Sequence, residues 1–588
     1  MLVGLLAGLV VEIPLARAAT SPNTLAPLPT AAQVAPAARP ALKGVVGPTP
    51  GGFIAPPTKA GARSEIVSKR TANSKVFQLP NGDFQSDISQ HPVHYKNAAN
   101  KWATIDNHLV AGDTPGTFVN KANSWQVQFA NSATGVAINA DAGALAFAPA
   151  APTDVVPVIG ADGTSIVYRD VWPNADLVYH VFSDRIEEDI VLNAPTSKSA
   201  FDFRITQDTA TSEARGEAAG ADDGLEFADP IVLDKQDQIV PAAKPTLTDG
   251  APAADGTDVK TVSVDATWLA AQPASAYPLT IDPNVVVNDL DVVQEVMYSG
   301  DRVSSWSWYA GAGRDSGGGV YRSVVLFDYA WLGGARIHNA TVNFARLGGA
   351  TTSSLMTVRG ATAWNFDGAG PVLTSGNLTT SGSLGGSALA NQFDQWISTY
   401  GSGGALMLQG NESVTSYKWW DLSLTLTYNL PPDAADLVAP AEGASVATLY
   451  PTLAVSPVTA QTGDPATTYR FQIFSTADGT GTPVWDSALY LADRSVTVNS
   501  AALKDGVTYT WRGVTFDGID STLGPVHSFK VNRRLGADGT QATDAMGPLT
   551  VNLGNGNVMT SVATPSVATV SGSAGVSLSY NSTAPVRT

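Results

Sequence analysis

The sequence predicts an all-β protein built from several domains. The chain has 588 residues, enough for about three to five domains of ordinary size. It contains 55 glycines and 37 prolines, and short runs of alternating apolar and polar residues recur between Gly, Asn and Asp turns. Long helix-period stretches are scarce. Because 44% of the residues are apolar and only 15% are charged, we expect several β domains with buried cores rather than a disordered chain.

The composition argues against several classes of function. Lys and Arg number 34 against 52 Asp and Glu, so the net charge is −18, and a nucleic-acid partner is not expected. There is no cysteine, which excludes disulfide frameworks, thiolate metal sites and thiol nucleophiles. Only six histidines are present, too few for a histidine-rich metal enzyme. We expect no cofactor and no metal ion.

The N-terminal end has the features of an exported protein. Residues 1–19 form an apolar run that ends in Ala16-Arg17-Ala18, which predicts a signal peptide and is too short for a membrane span. The lack of a basic residue after Met1 and the presence of Glu12 leave open a buried or mis-started N-terminus. Residues 20–62 are rich in Ala and Pro and predict a semi-rigid spacer, with a functionless tail as the alternative. We expect a secreted or wall-associated protein with no membrane span after cleavage.

Three segments stand out in a first β domain predicted over residues 63–285. They cover residues 68–110, 167–193 and 277–285, and each alternates apolar and polar residues around turns. Their aromatic side chains are expected to pack inward between β layers, namely Trp102, Tyr168, Trp172 and Tyr179. The acidic run 187–189 is interpreted as a solvated strand edge rather than a metal site. His91 and His94 are interpreted as a local cluster.

These segments resemble the N-terminal region of bacterial secreted RHS/YD-repeat, wall-associated proteins of the polymorphic-toxin type. The order and spacing of the three blocks match the family over some 215 residues. The resemblance implies a display and delivery region of a longer secreted protein. The matching residues are His94, Tyr95, Trp102, Ile105, Asp106 and Leu109, then Tyr168, Val171, Asp176, Leu177 and Tyr179, then Tyr277, Pro278, Ile281, Asp282 and Pro283.

A second domain is predicted over residues 286–430. Its strand pattern at Arg322–Asp328, followed by Ala335-Arg-Ile337 and Ala340–Phe344, resembles DNRLRE-type jelly-roll domains, some of which bind carbohydrate. This region is rich in aromatic residues, and sugar rings stack on exposed aromatic faces. The sequence therefore predicts a glycan platform, with a buried jelly-roll core as the alternative use of the same rings. Its candidate residues are Trp306, Trp308, Tyr309, Arg314, Trp364 and Trp419.

The remaining chain predicts a fibronectin type III-like sandwich over residues 431–533. Leu503 precedes Tyr509 by the spacing of a tyrosine corner, in which the phenol bonds back to the turn backbone. Asp517 and Asp520 flank a short loop that is interpreted as a hairpin turn, with Ca²⁺ binding as the alternative. Residues 534–588 resemble the start of an RHS/YD-repeat shell, which predicts that the chain is the first part of a longer protein or a truncated copy of one.

Three functions are compatible with these features. We favour a non-enzymatic display, delivery and attachment region of an RHS-repeat protein, so the protein is expected not to be an enzyme. Its expected partners are a cell-wall or extracellular polysaccharide and a downstream repeat shell. The second hypothesis is a stand-alone polysaccharide-binding protein acting through the jelly-roll. A glycan hydrolase or lyase is the third, and no loop of the sequence gathers the carboxylate pair or triad that it would need.

Overall fold

The computed structural model is almost entirely β, which confirms the predicted fold class. It describes residues 63–582 except for 131, 133–134, 141–142, 152–154, 209–225, 228–229, 237, 255, 287–291, 299–300, 308, 364, 366, 401–403, 461–465, 534–541, 555 and 571. The signal peptide and spacer predicted for residues 1–62 lie outside these residues. Residues 63–78 and 84–428 form one compact unit, and residues 79–83 with those from 429 onward form a second.

One part of the first unit contains two eight-stranded sheets that pack as a sandwich. One sheet has the strand order Thr246–Asp249, Asp258–Ser263, Ala200–Asp208, Gly143–Pro149, Val136–Ala140, Gln126–Phe129, Phe118–Ala122 and Asp106–Ala111. The other has the order Val158–Ile159, Ser165–Trp172, Ala175–Val181, Arg185–Leu192, Leu279–Asp282 and Ile231–Leu233, with Asn284–Val286 and Glu226–Phe227 at one side. A small ribbon pairs His94–Lys96 with Trp102–Thr104.

The two sheets enclose one apolar core, as the alternation predicted. Tyr168, Trp172 and Tyr179 are buried in it, and the Trp172 ring lies 5.0 Å from that of Phe201 in the facing sheet. The prediction for Trp102 was wrong, because this ring lies half-exposed on the small ribbon, where the Lys96 ammonium covers it at 4.1 Å. A short two-stranded ribbon has no second sheet against which to bury a ring.

The rest of the first unit is a network of 13 strands. Its main order is Ser64–Glu65, Ser74–Gln78, Phe84–Ser89, Lys418–Asn429, Ala310–Arg314, Val320–Val325, Leu406–Gly410, Ser354–Ala361 and Ala369–Leu378. Four more strands pair beside this path, namely Val292–Tyr298, Asp301–Ser307, Arg336–Gly349 and Gly382–Gly385. Strand Phe84–Ser89 therefore pairs with a strand some 340 residues later along the chain. The predicted domain limits at 63, 286, 431 and 534 stay predictions.

Helices are few and short in this unit. The α-helices span Ala266–Ala270 and Ser387–Tyr400, and 3₁₀ turns span Val67–Lys69, Pro241–Ala243, Ala274–Ala276 and Ala330–Leu332. Asp265 caps the first helix by accepting from the backbone N–H groups of Thr267 and Trp268. In the described part of the chain, no helix combines the length and apolar character required to cross a bilayer.

The second unit contains a two-sheet sandwich. One sheet has the order Leu437–Ala439, Thr452–Val455 and Ser495–Thr497; the other has Ala444–Val446, His527–Val531, Thr508–Phe516, Thr468–Phe474 and Trp485–Asp486, with Ser521–Leu523 on the long strand. Trp511 lies at the centre of the core. The predicted tyrosine corner is confirmed, because the Lys504 backbone N–H donates to the Tyr509 hydroxyl at 2.9 Å.

A small open sheet follows this sandwich. Its strands are Thr543–Met546, Leu549–Asn552, Val558–Ala563 and Ser577–Asn581, and a hairpin joins Val567–Thr569 to Gly572–Ala574. Leu578 and Tyr580 pair with Val562 and Thr560, so they share one face, and that face is largely exposed. The resemblance of this segment to a repeat-shell entry stays a prediction.

Candidate functional site

Two residues of the predicted glycan platform, Tyr309 and Trp419, lie in a buried aromatic cluster. Tyr309 is 7% exposed and Trp419 is 4% exposed, and their rings pack together at 6.0 Å with Tyr321 and Tyr417. Glycine at 348 makes room for the Trp419 ring, since a Cβ there would lie 2.1 Å from it. These two rings therefore belong to the core, which was the alternative use of the same residues.

Of the other predicted platform residues, the structure describes the side chain of Arg314 alone. Arg314 is half-buried, and its carbonyl accepts the backbone N–H groups of Ser416 and Tyr417. Trp308 and Trp364 lie outside the described residues, as does the side chain of Trp306. Glycan contact by this set stays a prediction.

A polar cleft lies instead at one end of the first sandwich. It has a volume of about 670 Å³ and is lined by residues 104–108, Asp162, Thr164 and residues 180–183. Asp106, His108, Asp162 and His180 bring two carboxylates and two imidazoles to its wall, and Phe182 contributes an apolar patch. Most of the lining side chains are polar, whereas small-molecule sites are mostly apolar with a few polar groups.

Two carboxylates of the cleft are held in their ionised form. Asp106 accepts from Lys121 Nζ and from His108 Nδ1, both at 2.7 Å, and these bonds hold its pKa well below the usual range. Burial opposes ionisation of Asp162, but hydrogen bonds from Ser165 and from the Thr164 backbone lower its pKa. Both side chains are therefore negative at neutral pH.

His180 connects the cleft to an acidic cluster on the neighbouring strands. Its Nε2 lies 3.5 Å from Asp189, and although burial lowers its pKa, this hydrogen bond and the adjacent charge give a net rise. Carboxylate oxygens of Glu187, Asp189 and Asp282 lie within 4.8 Å of one another. Oxygen ligands so close together are the donors that a hard divalent cation would use. Burial and the charge of Asp189 raise the pKa of Glu187 to about 7.

The acidic run is not the solvated strand edge that the sequence predicted. Strand Arg185–Leu192 lies inside its sheet, paired with Ala175–Val181 on one side and with Leu279–Asp282 and Asn284–Val286 on the other. Glu188 points into the core, where the Tyr179 hydroxyl donates to it at 3.2 Å. Burial raises the pKa of Glu188 to about 8. The alternation of apolar and polar residues in this strand does not show which of its two faces is exposed to solvent.

His91 contacts residues that are distant in the sequence, whereas the sequence predicted only a local cluster with His94. Its Nδ1 lies 2.5 Å from Asp184, and its Nε2 lies 3.7 Å from Asp421. Arg185 donates to the other oxygen of Asp184 at 3.0 Å. Burial opposes the ionisation of Asp184, yet the charges of His91 and Arg185 lower its pKa to about 2. Sequence reasoning missed this network and the cleft, for which the only local signals were the Asp162-Gly163 turn and the acidic run.

Comparison with known proteins gives a partial match to one kind of protein. The chain is 24% identical over 288 residues to "tRNA nuclease WapA" of Bacillus subtilis strain 168, covering 43% of this chain and 12% of that protein. It is 25% identical over 282 residues to "tRNA3(Ser)-specific nuclease WapA" of Bacillus spizizenii, covering 42% and 12%. For "tRNA(Glu)-specific nuclease WapA" of Bacillus subtilis subsp. natto the figures are 24% over 290 residues, 43% and 12%. The chain is thus weakly similar to WapA proteins and spans about an eighth of their length.

The other comparisons add little. No family model matches the chain, so the resemblances to DNRLRE-type domains and to RHS/YD repeats stay predictions. The chicken CNTN1 FN1-FN3 crystal structure is matched at 9% identity with a TM-score of 0.13, covering 58% of this chain and 97% of that one. A TM-score this low carries no argument.

The relatives correct one prediction from the sequence. The protein was expected not to be an enzyme, but all three relatives are named as tRNA nucleases. That expectation rested on the absence of a recognisable catalytic frame in this sequence. The names point to nuclease activity in the related proteins, although the match covers only part of this chain.

Proposed function

We propose that this chain is the display and attachment region of a secreted WapA-like protein that acts on tRNA. The similarity to three WapA nucleases over some 280 residues carries the proposal. The three sequence blocks that resemble secreted wall-associated proteins also support it. The nuclease activity is proposed for the whole WapA-like protein and is not assigned to a residue of this chain.

The β architecture suits a region that works outside the cell. Sandwich cores of the kind formed around Trp172 and Trp511 are held by apolar packing and contain no disulfide. We propose that the protein is secreted or wall-associated, that cell-wall polysaccharide is the surface it contacts, and that residues 534–588 lead into a repeat shell. The burial of Tyr309 and Trp419 weighs against a stand-alone glycan-binding protein.

Display is tested by fusing an epitope to the C-terminus of the 588-residue chain in the producing bacterium. We expect external protease to remove the epitope from intact cells and cell-wall preparations to retain it. A chain without residues 1–62 is the control and should stay inside the cell. An epitope of the complete chain that resists protease on intact cells, but not after lysis, would contradict the display role.

Nuclease activity is tested separately with total tRNA. The native product is isolated with an antibody to residues 63–285 and compared with the purified 588-residue chain. We expect the native product to cleave tRNA, and the comparison locates the activity within or beyond this chain. Intact tRNA after incubation with the native product would contradict the WapA-like activity while leaving the display test unaffected.

A further inference from the structure

The polar cleft of the first sandwich lies where its two sheets meet. Strand Asp106–Ala111 of one sheet forms one wall, and the turn before strand Ser165–Trp172 of the other sheet forms the opposite wall. The Leu109 backbone N–H donates to the Gly163 carbonyl across the cleft at 2.8 Å. A Cβ at position 163 would lie 2.6 Å from the His108 ring, so the glycine lets that ring lie against the turn. The two walls are therefore held in place by the chain itself.

The turn presents a carboxylate oxygen that the fold does not use. Asp162 Oδ1 accepts three hydrogen bonds, from the backbone N–H groups of Thr164 and Ser165 and from the Ser165 hydroxyl. These bonds fix the direction of the carboxylate. Asp162 is exposed on the cleft wall, and its Oδ2 accepts no hydrogen bond from the described residues. An ionised oxygen held in this way is a strong, pre-oriented acceptor.

The strand on the other side presents an amide donor. Asn107 lines the cleft, and its Oδ1 accepts the Nδ2 groups of Asn123 at 3.1 Å and of Asn120 at 3.4 Å. Two donors on the same atom identify it as the oxygen of the amide. The Asn107 Nδ2 donates to no group within the described part of the chain. Its two N–H groups can therefore donate to a ligand.

The cleft also contains one aromatic ring. Phe182 lines it, and the guanidinium of the buried Arg185, which does not line the cleft, lies 3.8 Å from the ring centroid. Arg185 therefore supports this ring from the protein side. Sugars have hydroxyl groups that both donate and accept, and C–H faces that pack on aromatic rings. A mostly polar cleft with an acceptor, a donor and one ring suits a sugar better than an apolar molecule.

The charges around the cleft favour an uncharged sugar. None of the described residues that line it is a lysine or an arginine, and the neighbouring Lys121 pairs with Asp106 at 2.7 Å. His180 faces Asp189 at 3.5 Å. Asp162 and the net charge of −18 repel phosphate and carboxylate groups of a ligand. A neutral polysaccharide meets no such repulsion.

We propose that this cleft binds a neutral polysaccharide of the cell wall. Asp162 Oδ2 accepts from sugar hydroxyls, Asn107 Nδ2 donates to them, and Phe182 packs against the face of a sugar ring. The inference rests on the wall contact proposed above, to which it adds the site and the class of glycan.

The test uses wall polysaccharide of the producing bacterium, released with muramidase and separated by anion exchange into a neutral and an acidic fraction. Each fraction is passed over the immobilised 588-residue chain, and the retained sugar is measured. We expect the chain to retain the neutral fraction and not the acidic one. In the parent chain, the neutral fraction should also slow amide hydrogen exchange in residues 104–108 and 180–183.

Two variants of nearly unchanged shape test the site itself. Asp162→Asn keeps the oxygen that Thr164 and Ser165 bond and replaces the acceptor Oδ2 by an amide nitrogen. Asn107→Asp keeps the oxygen that Asn123 bonds and removes the donor. Each variant is expected to bind the neutral fraction about tenfold more weakly, because each loses a hydrogen bond to a charged or buried polar group. Urea unfolding midpoints equal to that of the parent chain show that the variants fold.

A matched control comes from the second unit. Asp478 lies in Ala477-Asp-Gly-Thr480, the same four residues as Ala161-Asp-Gly-Thr164, and its Oδ1 likewise accepts the Thr480 backbone N–H. Asp478→Asn should therefore bind the neutral fraction as the parent chain does.

The possible failures are distinguishable. Equal retention by the parent chain and both cleft variants, or slowed exchange only outside the cleft, would overturn the site and leave the wall contact intact. Retention of the acidic fraction alone would overturn the class of glycan. Retention of neither fraction would contradict the proposed wall contact as well as the cleft.

Discussion

At the scale of single residues, Glu188 is the most unusual side chain of the first sandwich. It is 2% exposed, it points into an apolar core, and its one described hydrogen bond comes from Tyr179. Burial raises its pKa to about 8, so the folded protein keeps a proton that the unfolded chain releases above about pH 4.5. The folded state is therefore expected to lose stability as the pH rises from about 4.5 to 8.

Glu188→Gln should remove this dependence, because glutamine copies the protonated carboxyl without a charge. We expect the variant to match the parent chain near pH 5 and to exceed it near pH 8 by on the order of a few kcal/mol in free energy of unfolding. Urea titrations at both pH values measure the effect. Asp202→Asn makes the same charge change at an exposed position of the facing sheet and should leave the pH dependence unchanged. An equal slope in Glu188→Gln would show that Glu188 is ionised in the fold.

The tyrosine corner gives a second prediction for one residue. Tyr509→Phe removes the hydroxyl that accepts the Lys504 N–H and leaves that donor without its partner. We expect a loss of about 1–3 kcal/mol in the stability of the second unit, measured by urea unfolding of the variant beside the parent chain. Tyr450→Phe removes a hydroxyl from an exposed ring and is expected to change little. Equal stability of the two variants would contradict the role of the corner.

At the scale of elements, the hairpin of strands Ser74–Gln78 and Phe84–Ser89 completes the sheet formed by Lys418–Asn429. Ile88 is buried there directly opposite Leu424. Ile88→Ala should lower the stability of the first unit by about 2–5 kcal/mol, because it leaves a cavity in a packed core. Thr427→Ala, on the outward face of the partner strand, should cost far less. A shift of the urea midpoint that is no larger for Ile88→Ala than for Thr427→Ala would contradict this packing.

Local patterns in the sequence account for part of this structure. Alternation placed Tyr168, Trp172 and Tyr179 in the core, and a fixed spacing gave the tyrosine corner, because both features depend on neighbours along the chain. The pairing of Phe84–Ser89 with Lys418–Asn429 has no local signal, since it joins segments hundreds of residues apart. The cleft and the His91 network escaped prediction for the same reason. The many aromatic residues in the sequence around Trp419 are compatible both with an exposed binding face and with a buried core, so the sequence alone did not distinguish the two.

At the scale of the whole molecule, the chain is a series of β domains whose similarity to WapA nucleases covers a small share of those proteins. The central claim is that these domains belong to a secreted WapA-like protein. Export and membership of a longer product are separate consequences of that claim. Export and the length of the product can both be measured on the native protein without an assay of activity.

The most direct measurement is an immunoblot of the producing bacterium with an antibody to residues 63–285, applied to cytoplasm, cell wall and culture medium. The account predicts a band in the wall or medium whose mass lies well above the 60.8 kDa of this chain. A cytoplasmic marker protein controls for lysis. A band confined to the cytoplasm would contradict export, and a secreted band near 60.8 kDa with no larger form would contradict membership of a longer WapA-like protein.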